Sequence, residues 1–366
     1  MAEIALSSRM ETRRRDSRTV RIVGGGLSGL TTAIQLARHG VAVEVFERRS
    51  AHGMASEVRC DAIENWTTAD DFSDVLSSWA IERSPFHQAT SLEVFTFDGE
   101  CHVMARRRPL LYLVKRGSEP GCLDRALKLQ AIDLGVTIHN GQTLPREQAD
   151  VWAVGSLRHG FFLDVGITFR TSQPDRAAIL FDKRLAPRAC AYLIVIDGVG
   201  TLAVLLTQQF RHARALLKDA VDAFQRIRPF DLRDARLRGG FGGALSAIGP
   251  CRAAPLVVGE AAGFMDYLWG FGIRHAMLSG VLAARSMLEG GNYENLVARE
   301  IRPLVQSSLI NRALYDCANN SVYRAMVRYL CTRQDVHCLL HRAYQSRGIR
   351  RVFWPWVARS LSGGMS

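Results

Sequence analysis

The sequence predicts an α/β fold in which a parallel sheet is interrupted by an antiparallel one and followed by helices. Three observations predict it. Gly24-Gly25-Gly26-Leu27-Ser28-Gly29 stands between a short β-branched run and a helical stretch near the N-terminus. The same strand–glycine–helix order returns at residues 255–280. Between the two, residues 161–210 read as a meander of strands, with apolar runs punctuated by turn residues. Together they describe a Rossmann-type domain with an inserted antiparallel β-sheet domain and a helical C-terminal region.

Composition bounds the possibilities. The 366 residues are 48% hydrophobic and 22% charged, which excludes a disordered chain, a collagen-like repeat and a long coiled coil. No apolar run approaches the roughly 20 residues that span a bilayer. Lys+Arg number 47 against 35 Asp+Glu, a formal charge of +12, and all but Lys115, Lys128, Lys183 and Lys218 are arginines. Arginine suits bidentate contact with phosphates and carboxylates, yet a composition bias gives the same ratio, so charge alone identifies no partner. Eight cysteines are scattered without framework spacing, and residues 1–19 hold no apolar core of the signal-peptide kind. Reduced thiols and a cytoplasmic location are therefore expected.

The elements follow in order. Residues 1–18 are polar and basic and read as a disordered leader. A strand over 20–23, the glycine turn, a helix over 30–39 closed by Gly40 and a strand over 41–46 make a βαβ unit. Strands are expected at 92–97 and 101–105, a helix over 122–134 stopped by Gly135, and strands at 136–139 and 150–154. The meander comprises 164–169, 177–181, 189–196 and 201–206, followed by a helix over 213–226 and a glycine-rich return at 239–243. A strand at 256–258 leads to a helix over 272–288. The expected division is a discontinuous nucleotide domain at 19–160 and 240–290, with some strands of the second domain around 90–110. An insert occupies 161–239 and helices occupy 291–366.

The N-terminal turn is a G-x-G-x-x-G. Gly24 permits a tight turn, Gly26 lets the backbone approach a pyrophosphate and Gly29 allows the helix to pack closely, with Leu27 and Ser28 between them. The helix N-terminus favours negative charge, and Glu47, followed by Arg48, ends the second strand where an acid would bind ribose hydroxyls. A turn that merely reverses the chain is the competing explanation. This motif alone fits either NAD or FAD.

The second block decides between them. Pro255-Leu-Val-Val-Gly259-Glu260-Ala-Ala-Gly-Phe-Met-Asp266, then Gly270-Phe-Gly272-Ile273-Arg-His-Ala, resembles the geranylgeranyl reductase branch of the FAD-dependent oxidoreductases with the aromatic-hydroxylase fold. That family carries G-D-A-A-G-F-x-D-P, then G-x-G-I-x-x-A. Tyr112-Leu-Val-Lys-Arg116 with Leu123-Asp124-Arg125-Ala-Leu127 resembles its Y-x-V-x-R…F-D-x-x-L, and Phe241-Gly242-Gly243 through Gly249-Pro250 its approach to the second motif. The resemblance covers roughly residues 19–290. It implies FAD held by Gly24, Gly26, Leu27, Ser28, Gly29, Glu47, Arg48, Arg116, Gly259, Glu260, Gly270, Gly272 and Ile273. In the family the arginine lies beside the flavin and the G-x-G segment lies against the isoalloxazine ring. It also implies a Rossmann-type FAD-binding domain carrying an inserted antiparallel β-sheet substrate domain. The chain departs from the pattern at Glu260 for Asp, at Tyr267 for Pro, at Phe271 in G-E-G, and in the substrate strand, here Cys190-Ala-Tyr192-Leu-Ile194-Val195. Ala153-Val-Gly155-Ser156 lacks the aspartate of the hydroxylase relatives.

The expected activity is that of an FAD-dependent oxidoreductase reducing a carbon–carbon double bond in an isoprenoid or lipid-like substrate. NAD(P)H or a ferredoxin-type donor would supply the electrons. The alternatives are a monooxygenase acting on a hydrophobic natural product and a non-catalytic flavin-binding protein. No side chain announces itself as a catalytic acid or base. Cys60 and Tyr192 are the candidates for a catalytic role, with His52 and Asp266 also expected near the ring. Phe162, Phe169, Leu180, Tyr192 and Ile194 would form an apolar wall that suits a hydrophobic substrate. His337, Cys338 and His341, with Cys331, lack zinc-site spacing, so no metal is expected. Arg106-Arg107-Arg108 reads as a solvated face. The basic and aromatic tail Arg350-Arg351-Val-Phe353-Trp354-Pro355-Trp356 suits either a packed helix or peripheral contact with an anionic, inner membrane surface. No nucleic-acid motif appears, and the oligomeric state is not legible.

Overall fold

The computed structural model describes residues 19–50, 58–82, 86–105, 108–155, 160–243, 254–345 and 347–363. The leader at 1–18, His52, Arg106, Arg107, Ser156, Gly249, Pro250 and Cys251 lie outside the described residues.

The chain runs β1 (Val20–Val23), α1 (Leu27–Ala37), β2 (Val43–Glu47), β3 (Arg59–Glu64), α2 (Phe72–Ser78), β4 (Phe86–Ala89), β5 (Ser91–Thr96), β6 (Cys101–Ala105) and β7 (Leu111–Arg116). It continues with α3 (Leu123–Asp133), β8 (Thr137–Asn140), β9 (Val151–Trp152), β10 (Phe162–Arg170), β11 (Arg176–Phe181), β12 (Cys190–Ile196), β13 (Val199–Leu206), α4 (Ala213–Ile227) and β14 (Arg233–Gly242). The remainder is β15 (Leu256–Val257), α5 (Ile273–Glu289), α6 (Tyr293–Glu300), α7 (Arg302–Cys317), α8 (Asn320–Thr332), α9 (Val336–Gln345) and α10 (Arg347–Gly363).

The first sheet is wholly parallel, in the order β15-β9-β1-β2-β8. Its core positions are apolar, with Ile22, Val23, Val43 and Val45 buried, while Arg21 of β1 is exposed and Glu44 and Glu47 of β2 are half-buried. Helix α1 presents Leu30, Ala33, Ile34 and Leu36 to this core and ends where Gly40, at φ +75°, lets the chain turn back into the sheet. Helix α5 lies so close to α1 that a Cβ on Gly280 would stand 2.5 Å from the Ser28 carbonyl oxygen.

The second sheet has the order β14-β10-β13-β12-β11-β5-β6 and is antiparallel except where β11 meets β5. The glycine-rich stretch expected as a return is instead the end of β14, with Gly239, Gly240 and Gly242 opposite Val165, Asp164 and Phe162 of β10. Period-two alternation splits the expected apolar wall. Phe169 and Leu180 pack with Leu216, Leu217 and Phe224 of α4, whereas Ile194 and Tyr192 belong to the opposite face. That opposite face meets a third sheet, β3-β7-β4, and the C-terminal helices. The aromatic rings of Phe181, Trp269, Tyr315 and Tyr323 close its end, with Tyr315 and Tyr323 stacked at 4.4 Å. Among the described residues, no helix is long and apolar enough to cross a membrane.

Candidate functional site

Three strands of the parallel sheet, β1, β9 and β15, end side by side, and the loops that leave them build the site. Gly24 leaves β1 at φ +111°, and a Cβ there would lie 2.2 Å from the carbonyl oxygen of Ala153, the residue that leaves β9. Only glycine permits that approach. A Cβ on Gly29 would fall 2.0 Å from the Gly24 carbonyl oxygen, whereas one on Gly26 would meet none of the described residues within 4 Å. The turn is thus packed on its inner side and open at Gly26. Gly26 caps α1 without a side-chain hydrogen bond, and no acid occupies the first turn. The first N–H groups of α1 therefore face an open cradle with the polarity an anion requires.

Glu47 ends β2 beside this turn. Its Oε2 accepts from the Gly25 N–H and its Oε1 from the Arg49 N–H, both at 2.8 Å. Each carboxylate oxygen keeps a second lone pair for a ribose hydroxyl, while Arg48 is exposed. These residues fit a dinucleotide.

The second glycine block meets the first. Gly259 has φ +66°, and its missing Cβ would lie 2.6 Å from Ser28 Oγ; its N–H donates to Ser279 Oγ at 2.8 Å. Glu260 accepts from the Gly243 N–H at 3.0 Å, and burial raises its pKa against the pull of Arg59 and Arg116. Gly270 packs on Leu205, and Gly272 caps α5 with no side-chain hydrogen bond, ahead of the buried Ile273. Two uncapped helix N-termini, those of α1 and α5, thus belong to one constellation.

Arg116 ends β7 and is gripped by Asp124 of α3, with Nε to Oδ2 at 2.6 Å and Nη2 to Oδ1 at 2.8 Å. Its Nη1 reaches Asp61 Oδ2 at 3.5 Å, and the two acids raise its pKa further despite burial. On the facing sheet Arg238 donates to Asp164 at 2.6 Å and to the Tyr192 hydroxyl at 2.8 Å, while burial raises the Tyr192 pKa. Tyr192 is therefore part of a charged network that the apolar reading of its strand did not anticipate. Cys60 points into the sheet packing, its N–H donating to Thr201 Oγ1 at 2.8 Å and its thiol to the Val199 carbonyl at 3.3 Å. Burial, with Asp61 nearby, pushes its pKa up to about 12, so the thiolate is absent at neutral pH.

Asp266, expected near the ring, has buried polar neighbours that the sequence did not single out. Glu64 at the end of β3 is 0% exposed, and burial raises its pKa to about 7. Arg274 and His275, on the first turn of α5, face it. Asp266 is equally buried, with a pKa raised to about 6, and accepts from the Trp269 N–H at 2.7 Å and from the Tyr344 hydroxyl of α9. The signal that could have found them is the arginine–histidine pair that follows G-F-G-I, at positions where an α-helix facing a core would carry apolar residues.

The ring nitrogens of His337 and His341 take up backbone carbonyls, of Pro109 and Trp66, each at 3.1 Å. His87, Asp175 and Asp197 bring ligand atoms within 4.8 Å of one another, but Lys115 already supplies a cation to Asp197 at 2.6 Å.

A family model for an NAD(P)-binding Rossmann-like domain matches residues 22–63. No curated protein matches the chain. Among solved structures, a geranylgeranyl bacteriochlorophyll reductase-like protein from Thermoplasma acidophilum is 16% identical, with a TM-score of 0.67 over 94% of this chain and 99% of that one. The p-nitrophenol 4-monooxygenase of Pseudomonas putida is 14% identical, with a TM-score of 0.64 over 90% and 100%. A flavin-dependent brominase is 13% identical, with a TM-score of 0.62 over 94% and 100%. The chain has the fold these proteins share: a Rossmann-like parallel sheet, separate antiparallel sheets and C-terminal helices.

Proposed function

We propose that the protein is an FAD-dependent oxidoreductase that reduces a carbon–carbon double bond in an isoprenoid or other lipid-like substrate. The observation that carries the flavin reading is the convergence of the open Gly26 turn, Glu47 and the Gly259 block at the ends of β1, β2 and β15. FAD bound there would supply hydride chemistry that no amino-acid side chain provides. The first N–H groups of α1 would hold the pyrophosphate and Glu47 the ribose hydroxyls. The N-terminus of α5 at Gly272 favours negative charge beside it. Asp124 keeps the Arg116 guanidinium fixed and charged, and Glu260 is held by the Gly243 N–H.

A lipid-like substrate is the reading favoured by the apolar surroundings that the largely buried aromatic cluster of Phe181, Trp269, Tyr315 and Tyr323 gives the end of the large sheet. The Arg238–Asp164–Tyr192 network favours a second reading, a monooxygenase whose substrate carries a polar group. Electrons would come from NAD(P)H or a ferredoxin-type donor. Peripheral contact with an anionic membrane is supported by α10, where Val352, Phe353 and Trp356 stand exposed among Arg347 and Arg351.

The test compares extracts of the native host with and without the gene by accurate mass, and repeats turnover without oxygen. A product heavier by two hydrogens, formed anaerobically, supports the reductase. A product heavier by one oxygen, formed only in air, overturns it in favour of the monooxygenase. Loss of the Gly26→Val variant's flavin with no loss of biological effect would favour a non-catalytic role.

A further inference from the structure

Glu64 and His275 are 0% and 1% exposed, and among the described residues no hydrogen bond of standard geometry is made by either carboxylate oxygen of the one or either ring nitrogen of the other. They face each other, with His275 Nδ1 3.9 Å from Glu64 Oε1 and Arg274 Nε 3.6 Å from the same oxygen. The Arg274 donors are otherwise engaged, with the Glu64 carbonyl and Thr68 Oγ1, and its guanidinium lies over the Phe72 ring. An unsatisfied buried polar group costs about 1–3 kcal/mol. Two placed side by side are a pure loss unless the pair does something an apolar pair would not.

On one side, Arg274 and His275 form the inner wall of a cleft of about 220 Å³ whose other walls include Thr68, Asp70, Ser78 and Glu300. On the other side, Glu64 lies within electrostatic reach of Asp266 and Tyr344, which are joined to each other by a hydrogen bond. The pair therefore borders a solvent-facing cleft through His275 and is electrostatically coupled through Glu64 to the buried acid of the second glycine block.

We propose that Glu64 and His275 form a proton port, carrying protons from the cleft between α2, α5 and the α6–α7 junction inward to Asp266 and Tyr344. At rest Glu64 is a neutral acid, His275 is a neutral imidazole and Arg274 carries the local charge. When Glu64 yields its proton inward, the O–H bond breaks and its electron pair stays on the carboxylate, which Arg274 then faces as counter-ion. His275 takes a proton from solvent through the cleft and passes it to that carboxylate, restoring the resting state. One proton has moved inward and no electron has been transferred. Closing 3.9 Å to hydrogen-bond length of about 2.9 Å takes about 1 Å of side-chain movement.

The groups facing Glu64 are Arg274 and His275 from α5, Asp266, Tyr344 from α9, and Thr67 of its own segment. Burial brings Glu64 to about 7 and Asp266 to about 6, values close enough to exchange a proton near neutrality. Burial and Arg274 hold His275 down at about 3, so it is charged only in passing, once Glu64 is ionised. The port's purpose rests on the reading above, because saturating a double bond consumes a proton along with a hydride. Its existence does not.

The test is infrared spectroscopy of the whole protein, transferred to D₂O just below neutrality. The carboxylic-acid band that Glu64→Gln removes belongs to Glu64, and its deuterium shift reports exchange. Ser78→Trp, at an exposed position, plugs the cleft, and His275→Asn breaks the pair; each is expected to slow exchange by about tenfold or more. Leu134→Trp, beside a different cleft, serves as control and leaves the rate unchanged. Absence of the Glu64 band, or an unchanged rate in Ser78→Trp, overturns the port, and an unchanged rate in a folded His275→Asn does the same. Exchange is read with or without flavin, so failure to bind FAD would sink the functional reading and leave this result standing.

Discussion

Replacing Glu64 by glutamine removes an ionisable group while preserving its volume, and the consequence for stability can be worked out with its sign. The unfolded chain ionises this glutamate near 4.5, whereas burial, opposed by Arg274 and reinforced by Asp266, raises it to about 7 in the folded protein. Below the lower value both states are protonated and the residue contributes nothing. Between the two, the folded state keeps a proton that the unfolded state has released, so stability falls as pH rises; above about 7 the loss is complete. At about 1.4 kcal/mol per pH unit, the gap corresponds to roughly 3 kcal/mol. No discount for solvent applies, because Glu64 is fully buried. Asp266, raised from 3.8 to about 6, adds a parallel slope that the variant retains. Urea unfolding of both proteins across a pH series isolates the Glu64 contribution. Wild-type stability, taken relative to the variant, is expected to drop by about 3 kcal/mol from below 4.5 to above 7. A difference that stays flat with pH would mean that folded Glu64 is solvated or ionised throughout, and the reasoning would fail.

Three further outcomes are expected. Gly24→Val forces a Cβ to within 2.2 Å of Ala153 O at φ +111° and loses about 1–3 kcal/mol from backbone strain alone, whereas Gly26→Val adds a side chain that none of the described residues obstructs, purifies without flavin and melts like flavin-free wild type. A flavin-loaded Gly26→Val would refute the cradle. Asp124→Asn leaves the Arg116 guanidinium buried without its bidentate partner and costs about 3–5 kcal/mol in urea unfolding; a loss well under 1 kcal/mol would show that solvent reaches Arg116. With alkylating reagent on the native protein, the exposed Cys101, Cys317 and Cys338 are modified first. Cys60 and Cys190, both pushed up to about 12 by burial, react only on unfolding, as mass mapping would show.

Much of the fold was legible because its strongest signals are local. The β1–turn–α1–β2 unit, the four strands from β10 to β13, and α3, α4 and α5 all stand within a few residues of where periodicity puts them. The misses have a common cause. β3, β4, β7 and β14 are strands by virtue of partners far away in sequence, and nothing within a short window distinguishes Arg233–Gly242 from a glycine-rich loop. The cradle was readable because glycine spacing encodes backbone geometry directly, as Gly24 and Gly29 show. The charged Arg238–Asp164–Tyr192 network was not, because its members come from three strands and only register brings them together. Glu64, Asp266 and Tyr344 likewise meet across the whole length of the chain.

The order of strands in the parallel sheet bears on how the protein is made. β9 and β15 are neighbours, yet five of the seven strands of the large sheet, β10 to β14, are synthesised between them. At elongation rates of about 5–20 residues per second, the nascent parallel sheet waits on the order of 5–20 s for its edge strand. During that interval Ser28 has no Gly259 to pack against, and α1 lacks α5. A ribosome-bound chain stopped before β15 is therefore expected to expose the edge of β9, and on the proposed flavin reading cofactor loading would belong to the last stage of biosynthesis.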